Sequence, residues 1–194
     1  MLPATRYLAI DLETSGFKST ARVLEVGCVL FENGEPIREW SSLVRPVGIN
    51  WEEPDVQQAI SVNGLKPEMF EGKPTFTEIF SSLFVHLRSA RVWVAHNAQF
   101  DMRMLDNEFK HLKGENFPLQ PQEGWLCTLA LSRHLHPGVK GHKLDQVAER
   151  WDVRHVVEHR ASSDAMTCGR IMGAMSKGDL PNDIGWIHGQ RTEK

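Results

Sequence analysis

The stretch Tyr7-Leu8-Ala9-Ile10-Asp11-Leu12-Glu13-Thr14-Ser15-Gly16 decides the fold. Residues 6–12 read as a buried strand, an apolar run that reaches its first acid at Asp11. Asp11 and Glu13 stand two apart, so in a strand both side chains leave the same face, while Leu12 turns the other way into the core. The pair lies just before Gly16, at the C-terminal end of the strand, where α/β folds place their ligands.

Outward from this strand, Val23 to Phe31 reads as a second strand, with Leu24, Val26, Cys28 and Leu30 on one face. Asn33-Gly34 is a hairpin signal, so a third strand over about Ile37 to Val44 should return antiparallel. Pro54 and the polar residues after it suggest a short helix near 54–60. Phe76, Ile79, Phe80, Leu83, Phe84 and Leu87 recur with helical spacing and form one apolar stripe. Arg91 to Ala95 reads as a strand, and Met102, Leu105, Phe109 and Leu112 mark a helix. A loop over 114–124, a strand at Trp125 to Thr128 and a helix ending before Pro137 come next. Leu144 to Trp151 and Ser162 to Ser176 read as two further helices. A hairpin followed by alternating helices and strands implies an α/β chain with a mixed five-stranded sheet and helices on both faces. We expect one domain over residues 1–176 and a weakly ordered tail over 177–194.

Three further residues share the chemistry of Asp11 and Glu13. Asp101 closes the run His96-Asn97-Ala98-Gln99-Phe100-Asp101, near the start of a helix that follows a strand. A strand neighbouring the first would bring it to the same sheet edge. Asn97 should hold that turn through its side chain. Asp164 follows Ser162-Ser163, which look like helix N-cap residues, and the dipole of that helix favours an ionised carboxylate. His159 lies five residues earlier, on the loop entering the helix, where an imidazole can take a proton near neutral pH. Taken singly, each has an ordinary structural reading: a solvated strand end, a helix-start acid, a surface histidine. Together, four carboxylates and one imidazole are the set a two-metal phosphodiester hydrolase uses. Hard oxygen ligands suit Mg²⁺ or Mn²⁺.

Composition narrows the class. Charged residues make up 24% of the 194 and the formal net charge is −3, which argues against a protein that coats nucleic acid through a broad basic face. It leaves room for an enzyme that grips a strand end. Cys28, Cys127 and Cys168 form no CxxC pair and should pack as small apolar residues in a reducing cytoplasm. No signal-like leader and no apolar run of membrane length is expected. His134, His136 and His142 lack a second ligand cluster that would suggest zinc.

Asp-Leu-Glu-Thr-Ser-Gly at 11–16, His-Asn-Ala-Gln-Phe-Asp at 96–101 and His-Arg-Ala-Ser-Ser-Asp-Ala at 159–165 resemble, in order, the three motifs of the DEDDh, or DnaQ-like, 3′→5′ exonucleases. The resemblance spans about residues 6–176. His159, where a sister group carries tyrosine, marks the histidine branch. Trp125-Leu126-Cys127-Thr128-Leu129 and the run to Pro137-Gly138 look closer to exonuclease X-type members than to the polymerase III proofreading subunit.

The resemblance implies a ribonuclease H-like sheet. It implies Asp11, Glu13, Asp101 and Asp164 as ligands of two divalent cations, Mg²⁺ or Mn²⁺, and His159 as the general base. It implies the backbone of Leu12 and Thr14 against the terminal nucleotide, with Asn97 and Phe100 beside it. Asn63 stands where many members carry histidine. The implied activity releases nucleoside 5′-monophosphates from DNA 3′ ends, single-stranded or frayed, in repair or proofreading. An exoribonuclease of the same fold shares all five residues and stays open. So do a polymerase-associated subunit, a self-associating protein and a non-catalytic nucleic-acid-binding subunit.

Overall fold

The computed structural model describes residues 6–115, 117, 119–155, 159–178 and 186–187. Six strands form one mixed sheet: β1 (Arg6–Thr14), β2 (Val23–Glu32), β3 (Glu35–Leu43), β4 (Val92–Ala95), β5 (Gly124–Cys127) and β6 (Trp186–Ile187). Their spatial order is β3-β2-β1-β4-β5-β6. The hairpin strands β2 and β3 run antiparallel, whereas β1, β4 and β5 are mutually parallel. Asn33 and Gly34 both take positive φ, 53° and 85°, the geometry a two-residue hairpin needs. Five of these strands match the expected sheet. The two-residue β6 pairs antiparallel with β5 and comes from the segment expected to be a weakly ordered tail. Of that tail, only 177, 178, 186 and 187 lie within the described residues.

The helices are α1 (Pro54–Asn63), α2 (Phe76–Leu87), α3 (Ala98–Lys113), α4 (Thr128–Leu135), α5 (Leu144–Arg150) and α6 (Ala161–Met175). Two apolar clusters sandwich the sheet. On one face Leu8, Ile10, Leu12, Val26, Cys28 and Leu30 pack against α2 and α3. On the other, Tyr7, Ala9, Val29 and Phe31 pack against α5 and α6. β2 is therefore buried on both faces, beyond the single apolar face its alternation suggested. All three cysteines are buried and unpaired. Among the described residues no helix is long and apolar enough to cross a membrane.

α6 approaches the sheet unusually closely because its contact side is made of Ala161, Ala165, Gly169 and Gly173, one small residue per turn. A Cβ on Gly169 would stand 2.0 Å from the Phe31 ring. Glycine on the strand side does the same at the helix start: a Cβ on Gly27 would stand 2.2 Å from the carbonyl carbon of Ala161. Gly27 is the cross-strand partner of Asp11. The first turn of α6 is thereby seated directly beside the acids of β1.

A buried ion pair ties α3 to the same edge. Arg22 Nε donates to Glu108 at 2.9 Å, Arg22 Nη2 bonds the second carboxylate oxygen, and the Val23 N–H donates to Glu108 at 3.1 Å. The two side chains are 8% and 1% exposed, so each charge depends on the other.

Candidate active site

Because β1 and β4 are parallel neighbours, the C-terminal end of β1 and the β4–α3 turn open on one edge of the sheet. α6 begins at that edge. One ligand oxygen each from Asp11, Glu13 and Asp164 lies within 4.8 Å of the other two, and these form a candidate cation site among the described residues. Asp164 Oδ1 is buried without a hydrogen-bond partner. Burial and mutual repulsion raise all three carboxyl groups. Asp11 is held well above the carboxylate range by burial first, then by Asp101, Asp164, Glu13 and Glu25. Glu13 is pushed to about 8 by burial, Asp164 and Glu25. Asp164 is raised by burial against the pull of His155 and His159. Clustered, poorly solvated carboxylates with an orphaned oxygen are the donor set a hard divalent cation satisfies.

Asp101 lies outside the group of three. It is 2% exposed, and burial holds its carboxyl well above the usual range against the backbone N–H groups of its own residue and Leu12, which it accepts and which draw it down. It still borders the site, since its charge acts on Asp11 and Glu13 acts on it. His159 is exposed, lies outside any helix or strand, and takes φ 43°.

Two expectations about local structure are corrected. Ser162 and Ser163 do not cap α6; they lie inside its first turn, and the cap position is Arg160, with no side-chain cap bond. Asn97 does not hold its turn through its side chain. It takes a left-handed conformation, φ 75° and ψ 48°, and its backbone oxygen accepts the Phe100 N–H at 2.7 Å. Asparagine tolerates that conformation better than most residues.

Of the residues expected near a terminal nucleotide, Thr14 and Phe100 contact Gly16 and Phe17. Thr14 is buried, and its hydroxyl donates to the Gly16 carbonyl at 2.8 Å. Phe100 is half-buried against Phe17, with ring centroids 5.7 Å apart, and the Arg103 guanidinium lies over its ring at 5.6 Å. Phe17 itself is 73% exposed. Leu12 packs in the core, leaving only its backbone toward the edge.

Sequence reasoning noted Asn63 without giving it a contact, and missed Glu25 and Gly27, all of which shape this site. Asn63 Nδ2 donates to the Thr14 carbonyl at 3.2 Å, its Oδ1 accepts the Leu65 N–H at 3.1 Å, and its side chain also bonds Glu13. Glu25, opposite Glu13 on β2, is a fifth acid in the cluster. Gly27 admits α6. His96 has a structural part: its ring bridges Thr128 Oγ1 and the His142 carbonyl, both at 2.9 Å, and burial lowers it to about 4, so it stays neutral. His142 is engaged with Ser132 and the Val139 carbonyl.

The exonuclease model RNase_T matches residues 8–172. The chain belongs to the RNase_T exonuclease family. It is 31% identical over 172 residues to the DNA polymerase III subunit epsilon of Treponema pallidum, covering 87% of this chain and 75% of that one. It is 29% identical over 181 residues to the PolC-type DNA polymerase III of Halalkalibacterium halodurans, covering 93% of this chain but 12% of the relative. Among solved structures, exonuclease X in complex with 5′ overhanging duplex DNA superposes with a TM-score of 0.68 at 24% identity, over 88% of this chain and 91% of that one. The ribonuclease H-like architecture is thus shared, and the family is that of the DnaQ-like 3′→5′ exonucleases.

Proposed function

We propose that this chain hydrolyses the terminal phosphodiester at DNA 3′ ends and releases nucleoside 5′-monophosphates. The observation that carries this reading is the convergence of Asp11, Glu13 and Asp164 at the start of the helix that the His159 loop enters. Asp11, Glu13 and Asp164, with Asp101 beside them, would hold two divalent cations, Mg²⁺ or Mn²⁺. When bound, these supply charge neutralisation, a water of lowered pKa and stabilisation of the departing oxygen.

The chain's own residues do the rest. Repulsion among the carboxylates keeps the site poised for cations, since only a positive charge relieves it. His159, itself exposed, accepts the proton of the attacking water at its imidazole. Water adds to the terminal phosphorus, the bond to the 3′ oxygen breaks, and the strand leaves one nucleotide shorter. The Leu12–Thr14 backbone, Asn97 and Phe100 orient the terminal sugar and base. The relative named a polymerase III subunit supports a proofreading or repair setting, in which a polymerase is the candidate partner.

Purified protein incubated with Mg²⁺ or Mn²⁺ and matched 5′-labelled DNA and RNA single strands tests this. The expected result is a ladder shortening from the 3′ end, 5′-monophosphates as product, and DNA digested faster. Faster RNA digestion transfers the reading to an exoribonuclease. An intact substrate, or internal cuts, refutes it.

A further inference from the structure

Glu25 is 1% exposed, on the β2 face that α6 covers, and it stands opposite Glu13 in the sheet register. A fourth carboxylate beside Asp11, Glu13 and Asp164 raises the electrostatic cost of that cluster. Its bonds show what offsets the cost. Glu25 accepts Arg160 Nη2 at 2.8 Å and Arg160 Nε at 3.1 and 3.2 Å, a forked charge-assisted contact. It also accepts the Ala161 N–H at 3.2 Å, one of the donors that a helix start leaves without an intrahelical partner. These two donor residues are the pair immediately after His159.

The contrast along three consecutive residues is sharp. His159 is exposed, at positive φ and outside regular structure, whereas Arg160 is extended and pinned, and Ala161 is fully buried on Gly27. We propose that Glu25 and Arg160 are positioning residues for His159. The fork fixes the backbone one residue past the base, so the imidazole swings about a fixed post and returns to one place beside Asp164. Lysine cannot replace the fork, because it offers one point charge in place of two directed N–H groups. This proposal rests on the reading of His159 as general base.

The test is a set of four proteins: wild type, Arg160→Lys, His159→Ala, and the double variant. Each is assayed at saturating Mn²⁺ for kcat and KM on a single-stranded oligonucleotide. Hydrogen exchange at the amides of residues 161 and 162 is followed on the metal-free proteins. Arg160→Lys is expected to lower kcat by roughly 10- to 100-fold with little change in KM, the scale of a 1 Å misplacement. In the His159→Ala background the same substitution is expected to change kcat by less than about threefold, because nothing is left to position. Amide exchange at 161 is expected to speed up by roughly tenfold or more.

An equal loss in both backgrounds overturns the proposal and assigns Arg160 to overall folding or to the acids. So does a kcat unchanged by Arg160→Lys alone. A wild-type protein without nuclease activity refutes the proposed function instead. In that case the exchange data still judge the clamp: unchanged protection at 161 refutes it, and lost protection leaves the fork as the post that holds the loop.

Discussion

Gly27→Ala is a one-methyl change that should damage the site without touching any of its acids. The added Cβ would meet the carbonyl carbon of Ala161 at 2.2 Å, its oxygen at 2.3 Å and the Ser162 nitrogen at 2.4 Å. Carbon atoms need about 3.5 Å, so the first turn of α6 must withdraw by roughly 1.3 Å. Backbone, not a flexible side chain, is in the way, and Ala161 is fully buried. Overpacking of this kind costs about 1–3 kcal/mol. For a domain of this size that lowers Tm by roughly 2–12 °C. Asp164 lies on the displaced turn, and its ligand oxygen, within 4.8 Å of those of Asp11 and Glu13, would be drawn away from them. Functional constellations tolerate about 0.5 Å of error. Turnover should therefore fall by roughly 10²-fold at a temperature where circular dichroism shows the protein folded. Gly169→Ala is the control. It collides with Phe31, which is buried and stacked on Tyr7 at 5.1 Å, more than a turn beyond Asp164. It should lower Tm comparably and leave kcat within a few-fold of wild type. Wild-type turnover in Gly27→Ala, or an equal loss in both variants, would refute the claim that this close approach sets the site.

Four other outcomes follow from the same geometry. The raised carboxyls of Asp11, Glu13 and Asp164 mean that the metal-free folded state keeps protons the unfolded chain gives up. That stability is fully present below the unfolded carboxyl value of about 4 and is lost as pH rises through the folded value, about 8 for Glu13. Thermal melts in chelator should thus show Tm falling between about pH 4.5 and 8, with Mn²⁺ restoring it at pH 8; a flat or rising profile contradicts the cluster's repulsion. Asp11→Asn should abolish cleavage while raising the metal-free Tm at pH 8. His159→Ala should slow cleavage by roughly 10²–10⁴ with Mn²⁺ binding, read by calorimetry, almost unchanged. Arg22→Ala leaves Glu108 charged and buried, and should cost about 3–5 kcal/mol in denaturant melts; a loss under 1 kcal/mol would mean water already reaches the pair.

Local signals were legible wherever a single element decides its own form. The alternation of β2, the Asn33-Gly34 turn, the stripe of α2 and the stop before Pro137 each predicted an element that the structure contains. Signals that depend on what lies opposite were not legible. Ser162 and Ser163 looked like caps because serine often caps. The donor at that helix start is instead answered by Glu25, 136 residues earlier in the chain. Asn97 looked like a side-chain cap and acts through backbone conformation. Glu25 and Gly27 carried no local signal at all, since a buried acid and a strand glycine make sense only against α6.

By itself the sequence determined the order of the first five strands and the helices, the identity of the acids and the histidine, and the family that their motifs resemble. The elements follow from periodicity and the ligand set from residue chemistry, both local, and the family from the resemblance of the three motifs. The tertiary structure decided which carboxylates share a site: Asp11, Glu13 and Asp164 together, Asp101 beside them and tied to the Leu12 backbone. It also decided how near α6 comes to β2, because that distance is set where Gly27 and Gly169 meet the residues packed on them. Excluded volume between elements far apart in sequence has no signature in either element alone, and here it fixes where the chemistry can occur.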